Sequence, residues 1–142
     1  MRVVIDTSAL IAALRSNSGA AAEVLRMALR GEFAVLMDYK LACEYREVAL
    51  RQSHLHASGR SRSETEIVLD ALESVANPVS VWFRHRPLSP DVNDDLVLDV
   101  AINGNADVIL TNNIKDFRES AVSFGFELLT PAELVNKAGR KK

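Results

Sequence analysis

The chain opens on an unbroken apolar run, Val3-Val4-Ile5, that ends in an acid, Asp6, and two hydroxyl residues, Thr7 and Ser8. A run that does not alternate reads as a strand buried on both faces, as in a parallel sheet covered by helices. Similar short apolar runs recur at residues 33–37, 79–83, 106–110 and 126–129. Between them the spacing becomes helical. Residues 8–15 form one such stretch, and residues 20–30 another, with Val24, Leu25, Ala28 and Leu29 as its buried stripe and Gly31 at its end. Asp38-Tyr39-Lys40 starts a third helix over about residues 41–52, whose apolar face is Leu41, Tyr45, Val48 and Ala49. Ser63 and Glu66 have the spacing of a capping box, which predicts a helix to about residue 76 with Ile67, Leu72 and Val75 inward. Asn77-Pro78 stops it. Residues 96–102 are helical in pattern, and Thr130-Pro131-Ala132-Glu133 supplies an N-cap, a proline at the first helical position and a capping-box acid. Residues 53–63 read as a loop. The result is strand and helix alternating around a parallel sheet, in one domain over residues 1–136, followed by a frayed basic tail, 137–142.

Composition narrows the classes without choosing among them. The 142 residues are enough to bury a core without staples, and a 48% hydrophobic, 25% charged make-up is ordinary for a globular protein. No apolar run reaches the roughly 20 residues of a membrane span, and no signal peptide precedes Asp6, so a cytoplasmic protein without a membrane partner is expected. The single cysteine, Cys43, excludes an internal disulfide or a cysteine zinc cage, and its helical setting suggests a small core residue. A net charge of −2 offers no global attraction to nucleic acid, so any such binding must be local. The local basic residues are Arg46, Arg51, Arg60 and Arg62, with His54 and His56 in the expected loop. His-x-His without nearby acids is weak evidence for a metal.

The chemistry lies in acids placed past strand ends and on the adjoining helices. In open α/β sheets, ligands bind outside the carboxyl ends of the strands, where Asp6 stands. Read alone, this stretch is better explained by Asp6, Thr7 or Ser8 capping the helix that follows; further acids at similar places later in the chain shift the balance. Glu44 lies on or beside the apolar face of the third helix, where a carboxylate needs a partner or an ion; Glu47 is rotated toward solvent. In Asp91-Val92-Asn93-Asp94-Asp95, acids suit a first helical turn through the macrodipole, but Asp99 lies a full turn further in, on the same face as Asp95. Asp94 points about 100° away from Asp95. The fourth strand runs into Thr111-Asn112-Asn113 and then Asp116-Phe117.

Taken in order, Val-Ile-Asp-Thr-Ser, Glu44 within Glu-Tyr-Arg-Glu-Val, Asp-Val-Asn-Asp-Asp, and Ala-Asp-Val-Ile-Leu-Thr-Asn-Asn-x-x-Asp-Phe resemble the PIN domain family. The resemblance extends from Met1 to about Val135 and is closest to the bacterial VapC-like toxins of toxin–antitoxin pairs. It implies a Rossmann-like three-layer α/β/α fold with a central parallel sheet of four to five strands. It also implies a metal-dependent endoribonuclease, a homodimer, an RNA substrate and a protein antitoxin partner. Carried over by motif, Asp6, Glu44 and Asp95 are the catalytic acids, with Asp94 the alternative to Asp95 if the helix register slips by one. The metal set is Asp6, Glu44, Asp95, Asp99 and Asn113, and Asn113 stands where the family normally has an acid. Thr7, Ser8 and Thr111 would position carboxylates or water, and Arg46 and Arg51 would hold RNA. An octahedral Mg²⁺, or Mn²⁺, suits such oxygen ligands, and without a cation crowded carboxylates repel. Two rivals remain: a catalytically weakened PIN-like scaffold that binds RNA or protein, and an aspartate-nucleophile phosphohydrolase. The second needs Asp-x-Asp, and here Ser8 occupies the place of its second acid.

Overall fold

The computed structural model describes residues 1–82 and 92–139. Five parallel strands form the central sheet: β1 (Arg2–Ile5), β2 (Ala34–Met37), β3 (Asn77–Pro78), β4 (Val108–Leu110) and β5 (Glu127–Leu129), in the order β3-β2-β1-β4-β5. The helices are α1 (Thr7–Arg15), α2 (Ala20–Leu29), α3 (Tyr39–Ala49), α4 (Gln52–Ser58), α5 (Arg62–Val75), α6 (Val92–Asn103), α7 (Ile114–Phe124) and α8 (Pro131–Gly139). They flank the sheet as a three-layer α/β/α fold. The chain winds outward from β1 through β2 to β3, then returns to place β4 on the other side of β1. The switch point therefore lies between β1 and β4, and in such sheets the crevice at that point is where ligands bind.

Burial follows from this order. Val3, Val4, Val35, Leu36, Val108, Ile109 and Leu110 are all fully buried, as strands covered on both faces require. Helix α6 runs through the middle of the core. Val97, Leu98, Val100 and Ala101 are buried on successive faces, so the helix has no solvent side over that stretch. Behind it the chain turns at Gly104. A β-carbon there would meet the Val100 carbonyl oxygen at 2.8 Å and Val79 Cγ2 at 2.9 Å. Gly104→Ala is accordingly expected to destabilise the fold by about 1–3 kcal/mol, read as a fall in the urea midpoint with unchanged m-value.

Several expected elements differ. The 53–63 loop is largely helix: α4 packs against α1 and ends at Gly59 in the left-handed conformation (φ +72°), so its polar, histidine-rich sequence is held by tertiary packing. The third helix stops at Ala49. The capping box is Ser61 with Glu64, two residues earlier than Ser63 with Glu66. That shift changes the inward set to Thr65, Leu69 and Leu72, leaving Ile67 exposed and Val75 at the edge. The third strand is Asn77–Pro78, extended by a bond from the Val79 amide to the Met37 carbonyl; a proline is tolerated because β3 is an edge strand. Trp82, expected inside that strand, is exposed, and Phe83 lies outside the described residues, as do Arg84, His85, Arg86, Pro87 and Asp91. Helix α7 is a further element, with Ile114, Phe117, Ala121 and Phe124 at helical spacing and Phe117 fully buried. Cys43 is on the exposed side of α3 rather than in the core. Lys137, expected in a frayed tail, lies in α8 and pairs with Glu127 at 2.9 Å.

Candidate active-site crevice

Asp6 leaves β1 with its amide bonded to the Leu110 carbonyl of β4 at 2.8 Å, so it sits at the switch point. By position it is the N-cap of α1, yet its carboxylate makes no capping hydrogen bond. Instead Oδ2 accepts the Ser8 hydroxyl at 2.7 Å and the Thr111 hydroxyl at 2.7 Å. Asp6 is thus the N-cap by position, while its carboxylate is held chiefly by hydroxyl groups from α1 and the turn after β4. The Thr111 oxygen in turn accepts the Asn113 amide at 2.9 Å, tying the turn after β4 to the acid. Asp6 is only 4% exposed, and burial pushes its carboxyl above 3.8, opposed by the bonds from Ser8 and Thr111 and by the nearby Thr7 and Ser8 amides.

Glu44 arrives from α3. That helix is capped by Asp38, whose carboxylate accepts the Leu41 amide. It is pinned to the end of β1 by Tyr45, a fully buried residue whose hydroxyl donates to the Ile5 carbonyl. Tyr45 thus sets the height of α3, and Glu44 comes to accept the Thr7 hydroxyl on Oε2 at 2.6 Å. Burial raises the Tyr45 phenol well above its ordinary value, and the charges of Asp6, Glu44 and Asp38 add to the effect. The sequence reading took Tyr45 only as an apolar-face residue; the run Ile-Asp followed by Glu-Tyr gives no hint of the bond.

Helix α6 brings the third acid. Asp94 is half-buried and lies on the wall of a cavity of about 190 Å³, together with Asp6, Glu44 and Asn113. Thr7, Ser8, Val48 and Arg51 complete that wall. Asp95 and Asp99 are buried, at 2% and 1% exposure, and neither lines the cavity. The Oδ1 atom of Asp95 is buried and accepts no hydrogen bond, although the residue has other interactions. Asn113 occupies the N-cap of α7 without a side-chain capping bond, which leaves its amide facing the crevice. Asp116 lies one turn on in α7, exposed and off the crevice wall.

Among the described basic residues, Arg51 alone lines this wall, bonded to Glu47 at 2.8 Å. Arg46 faces α5, where Glu73 and Asp70 hold its guanidinium and raise its pKa further. Arg60 donates to the Leu14 carbonyl and to Asn17, and Arg62 pairs with Glu66.

The crevice is an oxygen-rich, hard donor set: three carboxylates, one amide oxygen and three hydroxyls counting Thr111 behind Asp6. Among the described residues no group of three or more His, Cys, Asp or Glu is gathered tightly enough to hold a metal ion by itself. An all-oxygen set fits Mg²⁺ or Mn²⁺, which bind through one or two carboxylates and keep several waters, better than Zn²⁺, whose sites are built mainly from histidine and cysteine.

A family model described as PIN domain matches residues 2–115. Among solved structures, the chain is similar to one in the crystal structure of VapBC2 from Rickettsia felis bound to a DNA fragment from their promoter. The TM-score is 0.63 at 16% sequence identity, covering 92% of this chain and 98% of that one, a likeness of fold. No curated protein matches the sequence.

Proposed function

Because this chain belongs to the PIN domain family, matched over residues 2–115, we propose that its acidic crevice is the active site of a metal-dependent endoribonuclease. The observation that carries this reading is the meeting of Asp6, Glu44, Asp94 and Asn113 in one cavity at the sheet's switch point, from four distant parts of the chain. Asp6 and Asp94, with the Asn113 amide oxygen, would hold Mg²⁺ or Mn²⁺. When bound, the ion would supply a Lewis acid that neutralises charge on the phosphoryl oxygens. Ser8 and Thr111 lock the Asp6 carboxylate through Oδ2, so it is oriented before substrate arrives. Glu44, held on Oε2 by Thr7, orients the attacking water and receives its proton. Arg51 takes the phosphodiester backbone.

The likeness to a VapBC2 chain supports reading this protein as a toxin component with a protein antitoxin as partner; the homodimer and the cytoplasmic setting rest on the motif resemblance alone. Among the described residues no helix is long and apolar enough to cross a membrane. Purified protein should cleave RNA with Mg²⁺ or Mn²⁺ and stop when the ion is chelated. Asn113 favours a second reading, the weakened scaffold, because an amide contributes an oxygen but no charge. Asn113→Asp should therefore lower the metal concentration for half-maximal cleavage by about tenfold, equivalent to ~1.4 kcal/mol. RNA binding with no cleavage by either form would establish the scaffold instead.

A further inference from the structure

Outside the crevice, Arg15 and Arg60 are cationic groups that pair with no carboxylate among the described residues, and Arg15 is the one that meets an imidazole. Arg15, in the last turn of α1, places Nη2 at 2.8 Å from His54 Nδ1 on α4. Arginine only donates, so that imidazole nitrogen must be the acceptor and the ring is neutral in this pairing, with its proton on Nε2. Arg26, Arg30, Arg46, Arg51 and Arg62 each meet a carboxylate; Arg15 meets none among the described residues. Its base is rigid, because Arg60 donates to the Leu14 carbonyl at 3.3 Å and to Asn17 Oδ1 at 3.0 Å, clamping the end of α1. Arg51 lies three residues before His54 and lines the acidic crevice.

We propose that Arg15 and His54, continuous with Arg51, form a subsite that seats a flanking backbone phosphate of the RNA strand beside the acidic crevice. The identity of the strand rests on the nuclease reading. An RNA strand must cross a rim next to three carboxylates, and its phosphates need cations there to offset the repulsion. The Arg15 fork matches two phosphate oxygens, and the His54 ring adds an N–H donor. Burial first, then the charges of Arg15 and Arg51, hold the His54 imidazole below its ordinary pKa, which places both guanidinium groups close enough to the ring to act on it. Glu47, the acid on Arg51, is solvent-exposed and easily displaced.

The test is fluorescence anisotropy of the full chain with a labelled single-stranded oligouridylate, in a chelator and across a range of KCl, for wild type, Arg15→Gln, His54→Gln and the remote control Arg26→Gln. Arg15→Gln should weaken binding roughly tenfold and lower the log–log salt slope by about 0.7, the loss of one phosphate contact on a single strand. His54→Gln should weaken it less, and Arg26→Gln should match wild type. Wild-type affinity and slope in both Arg15→Gln and His54→Gln overturn the subsite, as does a wild type that does not bind RNA. The two readings separate because binding is read without metal. Cleavage by wild type with an unchanged KM in Arg15→Gln removes the subsite and keeps the nuclease. Loss of binding in Arg15→Gln while no form cleaves keeps the subsite and removes the nuclease.

Discussion

Asp6→Asn is expected to lower metal-dependent RNA cleavage by about 10³-fold or more while leaving the fold intact and, at neutral pH, more stable. The loss follows from removing a charge that the ion needs, on the scale of deleting a key electrostatic group from an active site. The fold survives because an amide oxygen can accept the same two hydroxyl bonds that Ser8 and Thr111 give Oδ2. The stability gain has a definite sign. Asp6 keeps its proton in the folded chain above 3.8, where the unfolded chain has already lost it. Folded protein then binds more protons than unfolded, so stability falls as pH rises through that interval, and the penalty is complete once the folded carboxyl has ionised. Asparagine avoids the penalty. Urea unfolding should show the variant more stable than wild type at neutral pH, with the difference vanishing below 3.8. Mg²⁺ should raise the Tm of wild type and not of the variant. Undiminished metal-dependent cleavage by Asp6→Asn would remove the catalytic assignment altogether.

The second large effect separates two neighbours on α6. Asp94→Asn should reduce cleavage by about 10²-fold or more with little change in stability, because Asp94 is half-buried on the crevice wall. Asp95→Asn should do the reverse, retaining most activity while shifting the unfolding midpoint, because Asp95 is buried and off that wall. Measured together by kcat and urea midpoint, the pair gives crossed results. If Asp95→Asn abolishes cleavage and Asp94→Asn does not, the third acid is Asp95, as the motif carry-over first placed it.

The architecture could be read from the chain alone because its causes are local. Unalternating runs such as Val3-Val4-Ile5 state burial on both faces, and turn and cap residues separate them, so a parallel sheet with helices on both sides follows. Asp6 and Glu44 were legible for the same reason: one ends a buried strand, and the other interrupts an apolar stripe. Where the local signal was weak, packing decided. Residues 52–58 are polar enough to pass for a loop, and lie helical against α1. Two serines offered a capping box two residues apart, and the burial of Leu69 rather than Ile67 goes with the earlier one. Periodicity does not choose between Asp94 and Asp95, because α6 is buried on every face over residues 97–101, the acid Asp99 included, and so carries almost no amphipathic phase. How α6 packs against β1, β2 and β4 is what puts Asp94 on the same cavity wall as Asp6. Residue types specified that acids would gather at the switch point; contacts between elements far apart in the chain selected which ones.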